Sequence, residues 1–97
     1  MEILDMIGER IREIREANGI LLRELAGEVG VDPAVLSKME RGERSFRRAD
    51  IDILAKIFKQ PKKGLITLWL ADKILKTTKN QEYSKEALQL AMARFEN

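Results

Sequence analysis

The residues of this chain that can do chemistry are mainly charged, 18 Lys or Arg and 16 Asp or Glu, and the two signs are unevenly distributed. Residues 1–40 carry five Lys or Arg against nine Asp or Glu, whereas residues 41–63 carry eight against three. Residues 64–97 are almost balanced, so the net charge of the whole chain is only +2. A local excess of positive charge is typical of a surface that binds phosphate groups. A solvated helix face would carry the same charges, and charge alone does not separate the two interpretations.

The absence of two residue types excludes most enzyme chemistry. The sequence has no cysteine and no histidine, which removes disulfides, thiol nucleophiles, imidazole bases and nearly every transition-metal site. Ser37 has no imidazole to activate it, and the sequence has no glycine-rich phosphate loop. We therefore expect no enzymatic activity, no cofactor and no metal.

The sequence also lacks export and membrane signals. Its first five residues are acidic rather than basic, unlike a signal peptide. No apolar run approaches the roughly 20 residues that span a bilayer. We expect a cytoplasmic, nucleoid-associated protein with no membrane partner.

Apolar residues recur at helical spacing along the whole chain, and no convincing alternating strand pattern appears. The first helix carries Ile3, Ile7, Ile11 and Ile14 and should end before Asn18-Gly19. The fold class is therefore all-α. The apolar positions and turn residues predict six helices. The first should end near Ala17, the second should begin at Leu22 and stop at Gly30, and the third should begin at Pro33 and stop at Gly42. The fourth is expected around residues 51–58, the fifth around residues 65–75, and the sixth from Tyr83 to Phe95.

The stretch from Leu22 to Gly42 predicts two short helices joined by a tight turn, a helix-turn-helix. Gly30 tolerates the backbone of such a turn, and Val31 and Leu36 fill the angle between the helices. We expect the side chain of Asp32 to cap the second of these helices, which begins at Pro33.

From about Ile7 to Leu68 the sequence resembles the phage-repressor and Cro-type (XRE) helix-turn-helix family. No single dipeptide is diagnostic, but the order and spacing of several segments together are specific. These segments are Ile11-Arg12-Glu13-Ile14-Arg15, Leu25-Ala26, Gly30-Val31-Asp32, Leu36-Ser37-Lys38-Met39-Glu40-Arg41-Gly42 and Leu54-Ala55-Lys56-Ile57-Phe58.

The resemblance implies a five-helix repressor-type bundle, here with an additional C-terminal helix, whose recognition helix (residues 33–41) enters the major groove. Arg15 and Glu40 correspond to a structural ion pair. The positions that correspond to DNA base contacts are Pro33, Ala34, Ser37 and Lys38. The expected phosphate contacts are Arg23, Arg41, Arg44, Arg47 and Arg48.

Two positions depart from the family pattern. Leu22 stands where the family commonly has Gln, and Leu21 stands where a Ser or Thr cap is usual, so the first helix of the motif lacks its side-chain cap. Arg23 either replaces the missing phosphate contact or is simply solvated. Phe46 replaces a loop proline and is expected in the core rather than stacked on DNA.

Beyond Leu68 the resemblance fades. We expect residues 1–68 to form the DNA-binding domain and residues 69–97 a helical extension packed on it. The fifth helix is apolar on more than one face, so either the sixth helix or a second protomer should cover it. The residues expected at a homodimer interface are Trp69, Leu70, Ile74, Leu88 and Phe95.

These features predict a transcriptional regulator that binds double-stranded DNA sequence-specifically, as a homodimer on a palindromic operator. One alternative is an antitoxin or restriction-modification controller whose C-terminal helices bind another protein. A further alternative is a protein-interaction module that has lost DNA binding. The retained Lys38 and the arginine-rich loop argue against the latter.

Overall fold

The computed structural model describes residues 5–96, which form six helices and no strand, so the all-α class is confirmed. Ile3, the first apolar position of the predicted pattern, lies outside the described residues. The helices are α1 (Met6–Ala17), α2 (Leu22–Val29), α3 (Pro33–Glu40), α4 (Arg48–Phe58), α5 (Lys62–Thr78) and α6 (Ser84–Glu96).

The core forms where the first five helices meet. Apolar side chains of α1 to α5 point inward at the helical spacing that the sequence shows. Phe46, in the loop before α4, is buried among them, which confirms its predicted core position. The buried apolar residues are Ile7, Ile11, Ile14, Leu25, Ala26, Val29, Leu36, Met39, Phe46, Ile51, Leu54, Ala55, Phe58 and Leu65.

Two carboxylates satisfy the open N–H groups at the start of α1. The Oδ1 atom of Asp5 accepts a hydrogen bond from the backbone N–H of Gly8 at 2.8 Å. Asp72, on α5, accepts from Met6 at 3.0 Å and from Ile7 at 2.8 Å. Burial raises the pKa of Asp5, and the neighbouring Asp72 carboxyl raises it further. Asp72 therefore ties α5 to the first turn of α1.

Of the two helices of the motif, only α3 begins differently from the prediction. Asp32 makes no side-chain cap on α3, so the predicted cap is wrong. Pro33 has no N–H to offer, and the start of α3 is exposed, so water can satisfy the remaining donors. Leu21 provides no side-chain cap for α2, as predicted. The carboxylate of Glu24 does, however, accept a hydrogen bond from the N–H of Leu21 at 2.9 Å.

Helix α6 adds little to the core. None of its residues is buried, and the side chains of Ala87, Leu88 and Ala91 line an open, largely apolar groove against α5. The radius of gyration is 15.0 Å, against about 12.5 Å for a compact chain of this length. The molecule is elongated because α6 does not fold onto the core formed by the other helices.

Candidate nucleic-acid interface

Helix α3 presents one face to the core and the other to solvent. Leu36 and Met39 are buried and anchor the inner face. Pro33, Ala34 and Lys38 are exposed on the outer face. The turn that sets this orientation follows α2, where Gly30 adopts a left-handed conformation with φ of 87°, which side chains other than glycine rarely allow.

The end of α3 is fixed by its main chain. Gly42 has φ of 80° and reverses the chain after Arg41. The N–H of Gly42 donates to the carbonyl of Met39 at 3.2 Å, and that of Glu43 donates to the carbonyl of Lys38 at 2.8 Å. Such paired bonds are typical of a helix end closed by glycine. Glu43 is thereby brought back beside the last turn of α3.

Three N–H donors of the Arg41 guanidinium group are engaged within the protein. Its Nε lies 2.9 Å from Oε2 of Glu43, its Nη2 lies 3.2 Å from Oε1 of Glu43, and its Nη1 donates to Oγ of Ser37. Hydrogen bonding with Arg41, and then the attraction of its charge, lower the pKa of Glu43. Ser37, an expected base contact, is half-buried and already bonded to Arg41.

The other expected phosphate contacts divide into two groups. Arg47 lies against Asp50, with 3.0 Å between its Nη2 and Oδ1 of the carboxylate, and this hydrogen bonding raises the pKa of Arg47. Arg23, Arg44 and Arg48 are exposed. Within residues 5–96, no hydrogen bond or ion pair engages these three side chains.

The ion pair between Arg15 and Glu40 is present. Nε of Arg15 lies 2.7 Å from Oε2 of Glu40, and Nη2 lies 3.1 Å from Oε1. The guanidinium also donates to the carbonyl of Ile20 at 2.9 Å. Hydrogen bonding with Glu40 raises the pKa of Arg15. The side chains are only 12% and 5% exposed, so the pair joins α1 to α3 inside the protein rather than on its surface.

The expected dimer residues do not share one environment. Trp69 is half-buried against the core of its own chain, and its indole N–H donates to the carbonyl of Phe46 at 2.8 Å. Leu70 and Ile74 on α5 and Leu88 on α6 are exposed, and Phe95 is 89% exposed. Trp69 thus fastens α5 to the bundle, while the other four side chains remain open to solvent.

Several acidic residues with structural roles were not found by sequence reasoning, among them Asp72, Asp50 and Glu43. Asp72 and Asp50 are buried, and Glu43 is exposed beside Arg41. The only local signal for Asp50 is its position three residues after Arg47, whose N–H it accepts at 2.9 Å. Among residues 5–96, no cluster of acidic side chains could hold a metal ion, and no helix has both the length and the apolar character needed to span a bilayer.

The fold and the outward face of α3 define a helix-turn-helix protein. A family model described as a helix-turn-helix domain matches residues 7–63. The chain therefore belongs to the helix-turn-helix domain family, as a DNA-binding regulator of the XRE type.

Comparison with solved structures gives a similar fold over nearly the whole chain. The crystal structure of the clp gene regulator ClgR from Corynebacterium glutamicum has a TM-score of 0.62 and 24% sequence identity. The similarity covers 98% of this chain and 93% of the ClgR chain. A search of curated proteins finds no match. The similarity to ClgR therefore extends beyond the helix-turn-helix domain and includes the C-terminal helices.

Proposed function

We propose that the chain regulates transcription at the nucleoid by placing α3 in the major groove of a specific DNA sequence. The observation that carries this proposal is the free outer face of α3, where Pro33, Ala34 and Lys38 are exposed. The exposed side chains of Arg44 and Arg48 follow in the loop and at the start of α4. This arrangement combines side chains that can reach base edges with cations for phosphates.

Selection of bound duplexes from a random DNA pool tests this proposal. Lys38→Ala should relax the preference at one base pair in each binding site and lower affinity for the selected sequence by about 1–3 kcal/mol, because a donor to a guanine edge is lost. Arg44→Ala should weaken binding to all sequences alike and reduce the salt dependence by about one phosphate contact.

Lys56→Ala is the matched control, because it removes one exposed positive charge two turns along α4 from Arg48. It should leave both the selected sequence and the salt dependence unchanged. If the wild-type chain enriches no sequence at low salt, sequence-specific binding is wrong.

We also propose that α5 and α6 form a homodimer interface. A 13-residue helix with no buried side chain is marginal by itself in water. On α5 and α6, large apolar side chains are exposed together, namely Leu70, Ile74, Leu75, Leu88, Leu90, Met92 and Phe95. A second copy of the chain offers the same apolar surface under two-fold symmetry and would set two recognition helices on a palindromic site.

Sedimentation velocity at micromolar concentration checks the dimer. The wild-type chain should sediment as a dimer, with twice the 11.1 kDa mass of one chain. Ile74→Glu or Leu88→Glu should convert it to the monomer, while circular dichroism still shows a helical protein. Ile53→Glu, at an exposed apolar position on α4, should remain dimeric. A wild-type monomer that still binds a palindrome would contradict the proposal. A monomer that instead associates with a different protein would favour the antitoxin or restriction-modification controller.

A further inference from the structure

Glu43 places a negative charge beside the end of the recognition helix, where proposed DNA contacts surround it. Simple electrostatics assigns such a carboxylate an unfavourable role, because it repels phosphates. Its geometry points to another role. Both of its oxygens face the same guanidinium, 2.9 Å from Nε and 3.2 Å from Nη2 of Arg41. This is the side-on, two-bond arrangement that fixes the plane of an arginine.

The backbone holds Glu43 at this place independently of the ion pair. Gly42 takes a left-handed conformation, and the N–H of Glu43 is bonded to the carbonyl of Lys38 at 2.8 Å. A Cβ atom on Gly42 would lie 2.5 Å from Cβ of Asp5, so the residue that caps α1 also packs against this turn. The carboxylate is therefore attached to a fixed turn rather than to a mobile loop.

Ser37 completes the fixation from the other side. Its Oγ, one turn earlier on α3, accepts a hydrogen bond from Nη1 of Arg41. A guanidinium has five N–H donors, and Glu43 and Ser37 together use three of them. The two remaining donors are one on Nη1 and one on Nη2. A planar group with two free donors matches a partner with two adjacent acceptors.

We propose that Glu43 and Ser37 are positioning residues that hold Arg41 ready to bond two acceptor atoms on DNA, either a guanine edge or a phosphate. This inference rests on the DNA-binding function proposed above and changes the expected role of Ser37 from a base contact to a support for Arg41. An arginine that is already oriented loses less side-chain freedom when DNA binds. Glu43 then strengthens DNA binding even though its negative charge repels the phosphates.

The sign of the effect of Glu43→Gln on DNA affinity tests the proposal. Binding is measured by fluorescence anisotropy, over a salt series, on the duplex selected by the wild-type chain and on an unrelated duplex. We expect Glu43→Gln to weaken binding to the selected duplex by roughly three- to tenfold, because the side-on pair is lost. The matched control is Glu13→Gln, which removes the same charge from an exposed pair with Arg10 on α1 and should weaken nothing.

Two further variants identify the acceptor. Arg41→Lys keeps the charge but lacks the planar fork, and Ser37→Ala removes only the second support, so both should weaken binding as Glu43→Gln does. A loss confined to the selected duplex assigns Arg41 to a guanine, whereas an equal loss on both duplexes assigns it to a phosphate. If Glu43→Gln binds as tightly as Glu13→Gln or more tightly, the positioning role is overturned. A wild-type chain that enriches no duplex in the selection overturns the DNA-binding function itself.

Discussion

Replacing Arg15 by Met is expected to lower the free energy of unfolding by about 3–5 kcal/mol, the usual effect of removing one partner from a buried ion pair. Met keeps most of the apolar stem, so the loss reports on the charge and its hydrogen bonds. Glu40, whose side chain is only 5% exposed, would be left with no cation, and the carbonyl of Ile20 would lose its donor. Urea unfolding at a fixed protein concentration, followed by the fluorescence of Trp69, measures the change.

The same helix provides a control for Arg15→Met. Arg12 pairs with Glu16 at 3.1 Å, but both side chains are more than half exposed. Because solvent screens such a pair, Arg12→Met should change the free energy of unfolding by less than about 1 kcal/mol. Adding Glu40→Met to Arg15→Met should recover a large part of the loss, because no buried charge remains. Equal and small effects of Arg12→Met and Arg15→Met would contradict a buried pair.

These contacts make α1 the support on which the recognition helix rests. The pair with Arg15 holds the last residue of α3, and Asp5 packs against Gly42, two residues further along the chain. Asp72 in turn fixes the first turn of α1 to α5. The orientation of α3 therefore depends on a helix that makes none of the proposed DNA contacts. Mutations in α1 are expected to alter DNA binding through the position of α3 rather than through lost contacts.

Local patterns in the sequence were sufficient to predict the helices and much of the core. Apolar spacing placed all six helices, and glycine chemistry placed the turn at Gly30, because both depend on residues a few positions apart. The burial of Phe46 was also predicted. The cap at Asp32 was predicted by an equally local rule and is wrong, because the rule depends on residue type alone and the side chain of Asp32 makes no cap hydrogen bond in the structure.

The remaining features depend on contacts that a local pattern does not contain. Asp72 accepts from the N–H of Ile7, 65 positions away, and nothing near Asp72 in the sequence indicates that partner. Glu43 lies on a basic surface, where net charge alone gives it no role. The apolar positions of α6 are visible in the sequence, but only the structure shows that they are not buried in their own chain.

Gly8 is a residue for which helix propensity and packing predict opposite effects. Alanine favours the interior of a helix by about 1 kcal/mol over glycine, so propensity alone predicts that Gly8→Ala stabilises α1. A Cβ atom at this position would, however, lie 2.6 Å from the carbonyl oxygen of Met39 and 2.7 Å from that of Glu40. Both contacts are with backbone that the end of α3 holds in place, so α1 and α3 must move apart.

We therefore expect Gly8→Ala to lower the free energy of unfolding by about 1–3 kcal/mol, as overpacked core positions do. Gly27→Ala is the matched control, because Gly27 also lies inside a helix but a Cβ there would meet nothing within 4 Å. It should raise the free energy of unfolding by about 0.5–1 kcal/mol. Urea unfolding compares the two variants, and a stabilised Gly8→Ala would mean that α1 and α3 do not approach as closely as described. Because Gly8 faces the end of α3, Gly8→Ala should also bind the selected duplex less tightly. Gly27→Ala should leave the position of α3, and therefore DNA binding, unchanged.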